Sequence, residues 1–263
     1  MAQFLSDFHW DFAVILSMAA LATGLIYGVD ALFFARARRA AGTERGNWAV
    51  EFSRSFFPVI LVVLILRSFV VEPFRIPSGS MIPSLLVGDF ILVDKRAYGL
   101  RSPVGFWQIT EGSKPERGDV AVFRFPLDPS KDFIKRVVGL PGDHIVYRDK
   151  QLRINGERIP LEAAGVARVP GLPGGVVERY IETLGSDRHP IIVNPNAPSR
   201  AIDFVVPEGE YFVMGDNRDG SDDSRRWGSV PERNLVGRAF FIWMNWNSER
   251  GRPDFSRIGN TIP

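Results

Sequence analysis

An apolar stretch just before the bulk of the chain decides the fold; it has the sequence FFPVILVVLILRSFVV from Phe56 to Val71. At a helical rise of about 1.5 Å per residue it covers most of a ~30 Å bilayer core. Arg67 lies near one end, where its long side chain can reach the lipid headgroups. Pro58 falls in the first turn, where its missing N–H costs little. The stretch predicts a membrane-spanning helix, with a buried strand or helix as the alternative.

A second apolar run lies upstream, from Phe12 to Val29, and has the sequence FAVILSMAALATGLIYGV. Asp11 and Asp30 flank it. A cleaved signal peptide is one alternative, but the residues before the run include no Lys or Arg, which such a peptide carries at its start. A buried core helix is the other alternative. The run predicts a first membrane-spanning helix over residues 12–29, and the stretch above predicts a second over residues 56–71.

Positive charge between the two runs predicts the orientation in the membrane. The link over residues 30–55 contains no lysine but five arginines, which are Arg36, Arg38, Arg39, Arg45 and Arg54. Residues 1–11 contain neither residue type. Because arginine-rich and lysine-rich loops stay on the cytoplasmic side, we expect a cytoplasmic link. Residues 1–11 and 72–263 would then lie outside.

Composition excludes several classes of site. The chain has 263 residues, a formal net charge of +2 and no cysteine. Disulfides, cysteine nucleophiles and cysteine-bound metals are therefore impossible. The three histidines, His9, His144 and His189, are far apart and form no metal-binding motif. With so few histidines, a Ser-His-Asp triad is not indicated. The charge balance gives no sign of nucleic-acid binding. We expect no metal and no cofactor.

From Glu72 onward the pattern changes to short β-type stretches separated by Pro and Gly. Asn155-Gly156 is a strong signal for a tight hairpin turn. Residues 161–207 are rich in Pro and Gly, are weakly patterned and predict an insertion or subdomain. The fold class is a mostly β outer domain, built of several short antiparallel sheets or barrel-like, and anchored by two N-terminal helices. The predicted strands are Phe90–Val93, Val120–Phe125, Phe133–Val138, His144–Tyr147, Gln151–Ile154, Tyr211–Met214 and Arg238–Met244.

Two segments of the β-rich part carry groups suited to chemistry. Ser78 and Ser80 lie in FRIPSGSMIPSL, residues 74–85, where Pro and Gly predict a tight irregular turn. Such a serine is often only a turn former. In DFIKRVVGLPGD, residues 132–143, strand alternation places Lys135 on the same face as two apolar side chains. A lysine held among apolar groups has a lowered pKa and can act as a base toward a serine hydroxyl. The alternatives are that Lys135 extends into solvent or pairs with Asp132.

A third segment, MGDNRDGSDDSRR over residues 214–226, concentrates charges of both signs in one loop. An EF-hand is a competing interpretation, but with Gly220 at the sixth position the required acidic ligands are missing. A solvated charged turn is the remaining alternative. The fourth segment, RGDVAVFRFP over residues 117–126, predicts a turn followed by a core strand, and we assign it no chemistry.

In their order along the chain, GSM after a membrane helix, RGDVAVF, IKRVVGLPGD and GDNRDGSDDSR resemble the boxes of the bacterial type I signal peptidase family. The resemblance covers the second apolar run and most of the outer domain, but not residues 161–207. It implies that Ser80 is the nucleophile and Lys135 the general base. It also implies that the Ser78 hydroxyl completes an oxyanion hole. The supporting residues implied are Ser221, which would hydrogen-bond the lysine, and a buried pair beneath it, Asp223 and Arg225.

The resemblance further implies the substrate. Family members cleave exported preproteins after small residues at positions −1 and −3. Phe133 is a mild departure, since the family often has tyrosine there. The positions that match the substrate groove are Ile76, Pro77, Met81, Leu85, Phe133 and Ile134.

The implied location is the bacterial inner membrane, with the catalytic domain on the periplasmic or external side. Expected partners are preproteins, membrane lipid and a neighbouring secretion translocon. One alternative is another Ser/Lys protease of the same superfamily, such as a self-cleaving repressor, although the apolar runs argue against it. Another is a membrane-anchored, non-enzymatic β-domain that binds secreted chains.

Overall fold

The computed structural model describes residues 12–42, 46–168, 175–248 and 250–263. Residues up to 72, together with 99–111, form one compact unit, and residues 73–98 with 112–263 form a second. The predictions for the external N-terminus over residues 1–11 and for Arg45 lie outside the described residues. Within the stretch 161–207, the same holds for residues 169–174.

The first unit is helical. Helix α1 (Phe12–Val29) has the predicted bounds and continues through a π-helical turn (Asp30–Phe34) into α2 (Ala35–Ala40). Helix α3 (Trp48–Ile65) ends in a second π-helical turn (Leu66–Val70).

Helix α3 starts earlier than the apolar stretch. Its N-cap is Asn47, whose side chain accepts a hydrogen bond from the Val50 N–H at 3.0 Å. Pro58 therefore lies inside the helix, and the prediction that it occupies the first turn is wrong. The polar first two turns, which include Glu51 and Arg54, concealed this start because they resemble a link.

Helices α1 and α3 pack against each other, and they expose most of their apolar surface. A Cβ added at Gly24 would lie 2.8 Å from the Phe57 ring, so this glycine allows the close approach. Leu21 and Leu25 are 67% and 66% exposed. Both helical segments are long and apolar enough to cross a membrane. Their exposed apolar surface suits contact with lipid and argues against a buried core helix.

The second unit is built of strands, and its paired strands run antiparallel apart from one short parallel bridge. A short helix, α4 (Ser224–Trp227), interrupts them near the C-terminal end. The strands of the described residues are β1 (Val71–Arg75), β2 (Asp89–Asp94), β3 (Val120–Phe125), β4 (Asp128–Gly139), β5 (His144–Arg148), β6 (Gln151–Ile154), β7 (Glu157–Arg158), β8 (Leu161–Arg168), β9 (Val176–Leu184), β10 (Asp187–Val193), β11 (Ile202–Val205), β12 (Glu210–Met214), β13 (Val230–Pro231), β14 (Leu235–Asn247) and β15 (Arg252–Pro253).

The described strands form three sheets. The largest has the order β1-β2-β14-β3-β4-β12-β13, with β15 on β14. A four-stranded sheet has the order β11-β5-β6-β7, and a three-stranded sheet has the order β10-β9-β8. All seven predicted strands lie within observed ones, and the mostly β fold class is confirmed. Sequence reasoning did not predict the strands of residues 161–207. Strand β8, for example, exposes five consecutive residues and so shows no alternation of apolar and polar residues.

Strands β4 and β12 lie between two hydrophobic cores. Val137 and Val213 pack into one core, with Phe123 and Tyr211. Val138 packs into the other, with Ile145, Leu152, Phe212 and Met214. Successive side chains of a strand point to opposite faces. The two cores therefore bury both faces of β4, and this is the strand that carries Lys135.

Candidate active site

Ser80 lies in the irregular segment that connects β1 to β2, and a single residue of the charged loop holds its backbone. The N–H of Asn217 donates to the Ser80 carbonyl at 3.1 Å, and the Asn217 side-chain amide donates to the Gly79 carbonyl at 3.0 Å. Ser80 is buried, with 7% of its surface exposed. Two bonds from one asparagine leave this backbone little freedom.

Lys135 lies on β4, opposite Ala121 of β3, and its ammonium group reaches Ser80. The distance from Lys135 Nζ to Ser80 Oγ is 2.9 Å, and Nζ also donates to the Ile134 carbonyl at 2.8 Å. The Phe133 ring lies on the same side, with its centroid 5.3 Å from Nζ. Lys135 is only 4% exposed, so the interpretation that it extends into solvent is wrong.

Burial gives this lysine an unusual pKa. Loss of solvent lowers the pKa of Lys135 from its ordinary 10.5 to about 8, against the opposing charges of Asp223, Asp222 and Asp216. A group with a pKa near 8 is substantially neutral at mildly alkaline pH, whereas an ordinary lysine is not. Neutral Nζ has the free electron pair that a proton acceptor for the Ser80 hydroxyl needs.

Ser78 precedes Ser80 in the same segment. Its hydroxyl oxygen lies 3.4 Å from Ser80 Oγ, and the residue is exposed. The structure therefore brings Ser78, Ser80 and Lys135 into one cluster. A hydroxyl at this position can donate to an oxygen that develops negative charge beside Ser80.

The loop after β12 packs directly on the Ser80 backbone through a glycine. A Cβ at Gly215 would collide with the Ser80 carbonyl oxygen and with Ser221 Oγ. The Gly215 N–H donates to Asp223 Oδ2 at 3.0 Å. Only glycine allows the two segments to approach this closely.

Asp223 and Arg225 form the expected buried ion pair. The Arg225 Nη2 to Asp223 Oδ2 distance is 2.8 Å, and the two side chains are 6% and 0% exposed. Burial would raise the pKa of Asp223, but the hydrogen bond and charge of Arg225 outweigh it and hold the pKa below its ordinary value. Arg225 also donates to the carbonyl of Arg218, so the pair closes the loop.

Ser221, which the resemblance implies to hydrogen-bond the lysine, lies in the same charged loop as Asp223. Its hydroxyl is buried against Gly215 and interacts with the Asp223 carboxylate, where it helps to lower the pKa of that group. Among the described residues, a contact with Lys135 Nζ is missing in this arrangement, where Nζ bonds the Ile134 carbonyl instead.

Sequence reasoning missed a second buried ion pair, between Arg136 and Asp216. Arg136 Nε and Nη2 donate to the two Asp216 oxygens at 2.9 and 2.8 Å, and both side chains are fully buried. Ser84 Oγ donates to the same carboxylate at 2.5 Å. The sequence did contain a signal for this pair, because Arg136 is a charged residue inside an apolar strand. A buried charge requires a partner of opposite charge. This pair links the Lys135 strand to the loop that holds Ser80.

The six residues expected to line the substrate groove fall into two groups. Pro77 is exposed, while Phe133 and Ile134 are half-buried. Ile76, Met81 and Leu85 are at most 2% exposed. Three of the six are therefore accessible to a peptide here, and the other three lie in the packed layer.

A buried serine within hydrogen-bonding distance of a desolvated lysine, on a β-sheet scaffold, is an arrangement suited to a serine hydrolase. The comparisons with known proteins agree. The model of the family described as "Signal peptidase, peptidase S26" matches residues 49–246. The chain therefore belongs to the peptidase S26 family of signal peptidases.

Relatives across bacteria carry the same description. A signal peptidase I of Pseudomonas fluorescens is 44% identical, over 95% of this chain and 98% of its own length. The signal peptidase I of Aquifex aeolicus is 36% identical, over 71% of this chain and 81% of its own length. A crystal structure of a signal peptidase I from Enterococcus faecalis shares 28% identity and covers 48% of this chain and 97% of its own, with a TM-score of 0.30. That score is too low to compare the folds.

Family membership decides between the alternatives left open by the sequence. The chain is a serine endopeptidase of the signal peptidase type, anchored by apolar helices, and it removes signal peptides. The interpretation as a non-enzymatic binding domain is wrong. A self-cleaving repressor is also excluded, since the signal peptidase relatives match nearly the whole chain.

Proposed function

We propose that this chain cleaves preproteins with Ser80 as the nucleophile and Lys135 as the general base. The observation that carries the proposal is the 2.9 Å contact between Lys135 Nζ and Ser80 Oγ in a buried site. Neutral Nζ takes the hydroxyl proton as Oγ attacks the scissile carbonyl carbon. The protonated lysine then gives that proton to the leaving amine, which frees the mature protein and leaves an ester on Ser80. Water, deprotonated by Lys135, hydrolyses the ester and releases the signal peptide.

The negative charge on the carbonyl oxygen needs donors during attack. The Ser78 hydroxyl and the Ser80 N–H supply them in this proposal. The exposure of Ser78 supports its role, since its hydroxyl is free to turn toward a bound peptide. Proton transfer between Ser80 and Lys135 requires no metal and no cofactor.

In this proposal the side chains around Ser80 select the substrate. We assign direct contact with the preprotein to Pro77, Phe133 and Ile134. The Phe133 ring is stacked on Phe125, with ring centroids 4.4 Å apart, which gives the groove a rigid wall. We assign the size limit at positions −1 and −3 to the buried residues of the neighbouring packed layer, Ile76, Met81 and Leu85.

The charged loop supports the dyad in this proposal. Ser221 orients the lysine during the reaction, and Asp223 with Arg225 fixes the loop from below. The steric contact of Gly215 with the Ser80 carbonyl and Ser221 supports this role, because it couples the loop to the nucleophile.

The proposed setting is the bacterial inner membrane. We place the first span at residues 12–29, inside the apolar helical segment Phe12–Ala40, and the second inside the segment Trp48–Val70, which contains most of the predicted span over residues 56–71. The link between them is cytoplasmic, and the catalytic domain over residues 72–263 is periplasmic or external, with residues 161–207 as its subdomain. There it meets membrane lipid and preproteins leaving the translocon, and it needs no nucleic acid. Ser80 follows the second span closely along the chain, so a cleavage site emerging from the bilayer is within reach.

Two substitutions test the dyad. Ser80→Ala removes the attacking oxygen, and Lys135→Arg keeps the charge but cannot lose a proton at working pH. Both full-length variants, in detergent, should fail to release mature protein from a preprotein on a gel. Lys131→Arg, on the exposed part of the same strand, is the matched control and should cleave at the parent rate. A folded Lys135→Arg enzyme with substantial activity would exclude Lys135 as the base.

The orientation has its own test. A reporter that works only outside the cytoplasm should be active when fused after residue 263 and silent when fused at residue 42. The opposite pattern would reverse the proposed topology without affecting the dyad.

A further inference from the structure

The three-stranded sheet β8–β10, which no sequence motif explained, is joined directly to the loop beside Ser80. The Ile192 N–H of β10 donates to the Asp216 carbonyl at 2.9 Å, and the Arg218 N–H donates to the Ile192 carbonyl at 3.0 Å. The loop residues between β12 and α4 therefore form a short parallel bridge with this sheet. A segment with no catalytic group of its own thus holds the backbone next to the nucleophile.

Arg218 extends this connection through its side chain. Its Nε donates to the Gly215 carbonyl at 3.2 Å. Its two terminal nitrogens bind the two oxygens of Glu182 from β9, one of them at 2.6 Å. Both side chains are almost fully buried, at 2% and 0% exposed. A bidentate arginine–carboxylate pair of this kind fixes orientation as well as distance.

His189 completes the group on the neighbouring strand β10. Its Nε2 lies 3.1 Å from Glu182 Oε2, and its Nδ1 lies 2.8 Å from Asp187 Oδ2. The cluster places Arg218 and His189 against the carboxylates of Glu182 and Asp187, and Arg136 Nη1 approaches Asp187 Oδ2 at 3.4 Å. Burial would raise the pKa of Glu182, but the charge of Arg218 outweighs it and lowers the pKa.

We propose that Glu182 is a positioning residue for the Ser80–Lys135 dyad, acting through Arg218 and supported by His189. The inference rests on the dyad mechanism above and assigns a role in it to the β8–β10 sheet. Glu182 fixes Arg218, and Arg218 fixes the Gly215 carbonyl. Gly215 in turn packs against the Ser80 carbonyl and Ser221 Oγ.

The route predicts which kinetic constant changes. When the negative charge of Glu182 is removed, Arg218 loses its ionic partner and shifts, and the Gly215 peptide that it binds is displaced with it. The displaced peptide disturbs Ser80 and the base, but the groove residues Phe133 and Ile134 are outside this chain of contacts. The chemical step should therefore slow while substrate binding stays nearly constant.

The experiment compares two glutamates of the same sheet. Glu182→Gln removes the buried charge at nearly constant shape. Glu162→Gln, on β8, makes the same change in an exposed pair with Arg188, whose side chains are 63% and 57% exposed. The full-length proteins are assayed on a preprotein at a temperature where thermal unfolding shows each of them folded. We expect Glu182→Gln to lower kcat at least ~10-fold with KM within about twofold, and Glu162→Gln to match the parent.

A second measurement tests the route through Arg218. If Glu182 acts through it, Glu182→Gln added to Arg218→Lys should lower kcat little further. Additive losses would overturn the route, and a folded Glu182→Gln enzyme with parent kcat would overturn the proposal. If Glu182→Gln does not fold, His189→Gln is judged by the same criteria; failure of both to fold would show a purely structural cluster and also overturn it. Cleavage by Ser80→Ala would instead refute the dyad mechanism, whatever Glu182 does.

Discussion

Replacement of Lys135 by methionine should abolish cleavage but stabilise the folded protein at neutral pH. The pKa of Lys135 falls from an ordinary 10.5 to about 8 on folding. At about 1.4 kcal/mol per pH unit, this corresponds to about 3 kcal/mol of stability that the charged form costs the parent. Methionine has a similar length and no charge to desolvate. Methionine also loses the bonds to the Ser80 hydroxyl and the Ile134 carbonyl, at about 1 kcal/mol each, so the net gain at pH 7 is about 1 kcal/mol.

The sign of the pH dependence follows from the lowered pKa. Below pH 8 both the folded and the unfolded parent bind the proton, and the full cost is present. Between pH 8 and 10.5 only the unfolded chain keeps it, so the stability of the parent rises with pH. Across this window the stability of Lys135→Met relative to the parent should therefore fall by about 3 kcal/mol, from a gain of about 1 kcal/mol to a loss of about 2 kcal/mol, as the parent loses its buried charge. Other titrating groups are common to both proteins and cancel in the difference.

The assay is urea unfolding of full-length parent and variant in detergent, followed by tryptophan fluorescence at pH 7, 9 and 10.5. Lys131→Met is the matched control, because Lys131 lies on the same strand with its side chain 65% exposed and paired with Asp128. Its free energy of unfolding, relative to the parent, should not depend on pH in this range. If the difference between parent and Lys135→Met stays constant from pH 7 to 10.5, then Lys135 is not desolvated and the explanation of its activation fails.

Three further predictions concern activity and the loop. The initial cleavage rate of the parent should rise about tenfold per pH unit below pH 8 and level off above it, because the base must lose its proton to act. A pH–rate curve with its midpoint near 10.4, the value of an ordinary lysine, would contradict the lowered pKa of Lys135. Gly215→Ala should reduce kcat at least ~100-fold and lower stability by about 1–3 kcal/mol, since the new methyl group meets Ser80 and Ser221; kinetics and urea unfolding measure both. Asp223→Asn should cost about 3–5 kcal/mol in urea unfolding, because Arg225 would stay buried without its counter-charge.

Matched controls exist for both loop variants. A Cβ at Gly28 meets no atom within 4 Å, so Gly28→Ala should leave activity unchanged. Asp222 is next to Asp223, but its side chain is 52% exposed and its contact with Arg226 is 3.4 Å long. Asp222→Asn should therefore change stability by less than about 1 kcal/mol. Equal losses for the neighbouring aspartates would contradict the distinction between buried and exposed pairs.

The local pattern of apolar and polar residues was sufficient to predict most of the helices and strands that form the scaffold of this protein. Apolar runs of spanning length predicted both helices, since the period and length of hydrophobic stretches are properties of a single segment. The same holds for strands such as Val120–Phe125 and Gln151–Ile154, which have the predicted bounds. The start of α3 at Trp48 could not be predicted from the apolar run, because the first turns of this helix are polar.

The reactive residues were identified only in part by local chemistry. Alternation on β4 placed Lys135 with apolar neighbours, but an exposed lysine fitted the same pattern. Its 2.9 Å contact with Ser80 depends on how two distant segments pack, and no local rule reports that distance. The shared box pattern indicated the pairing because it summarises that packing in other members of the family.

Residues 161–207 show what tertiary structure alone decided. Glu182 and His189 occur in a weakly patterned stretch, where a charged residue ordinarily indicates a solvated surface. The fold instead buries Glu182 against Arg218, and His189 against Glu182. A charge in the interior is tolerable only when its partners are placed by other segments. The sequence therefore determines which groups are available, while long-range packing determines which of them are buried, paired and able to act on Ser80.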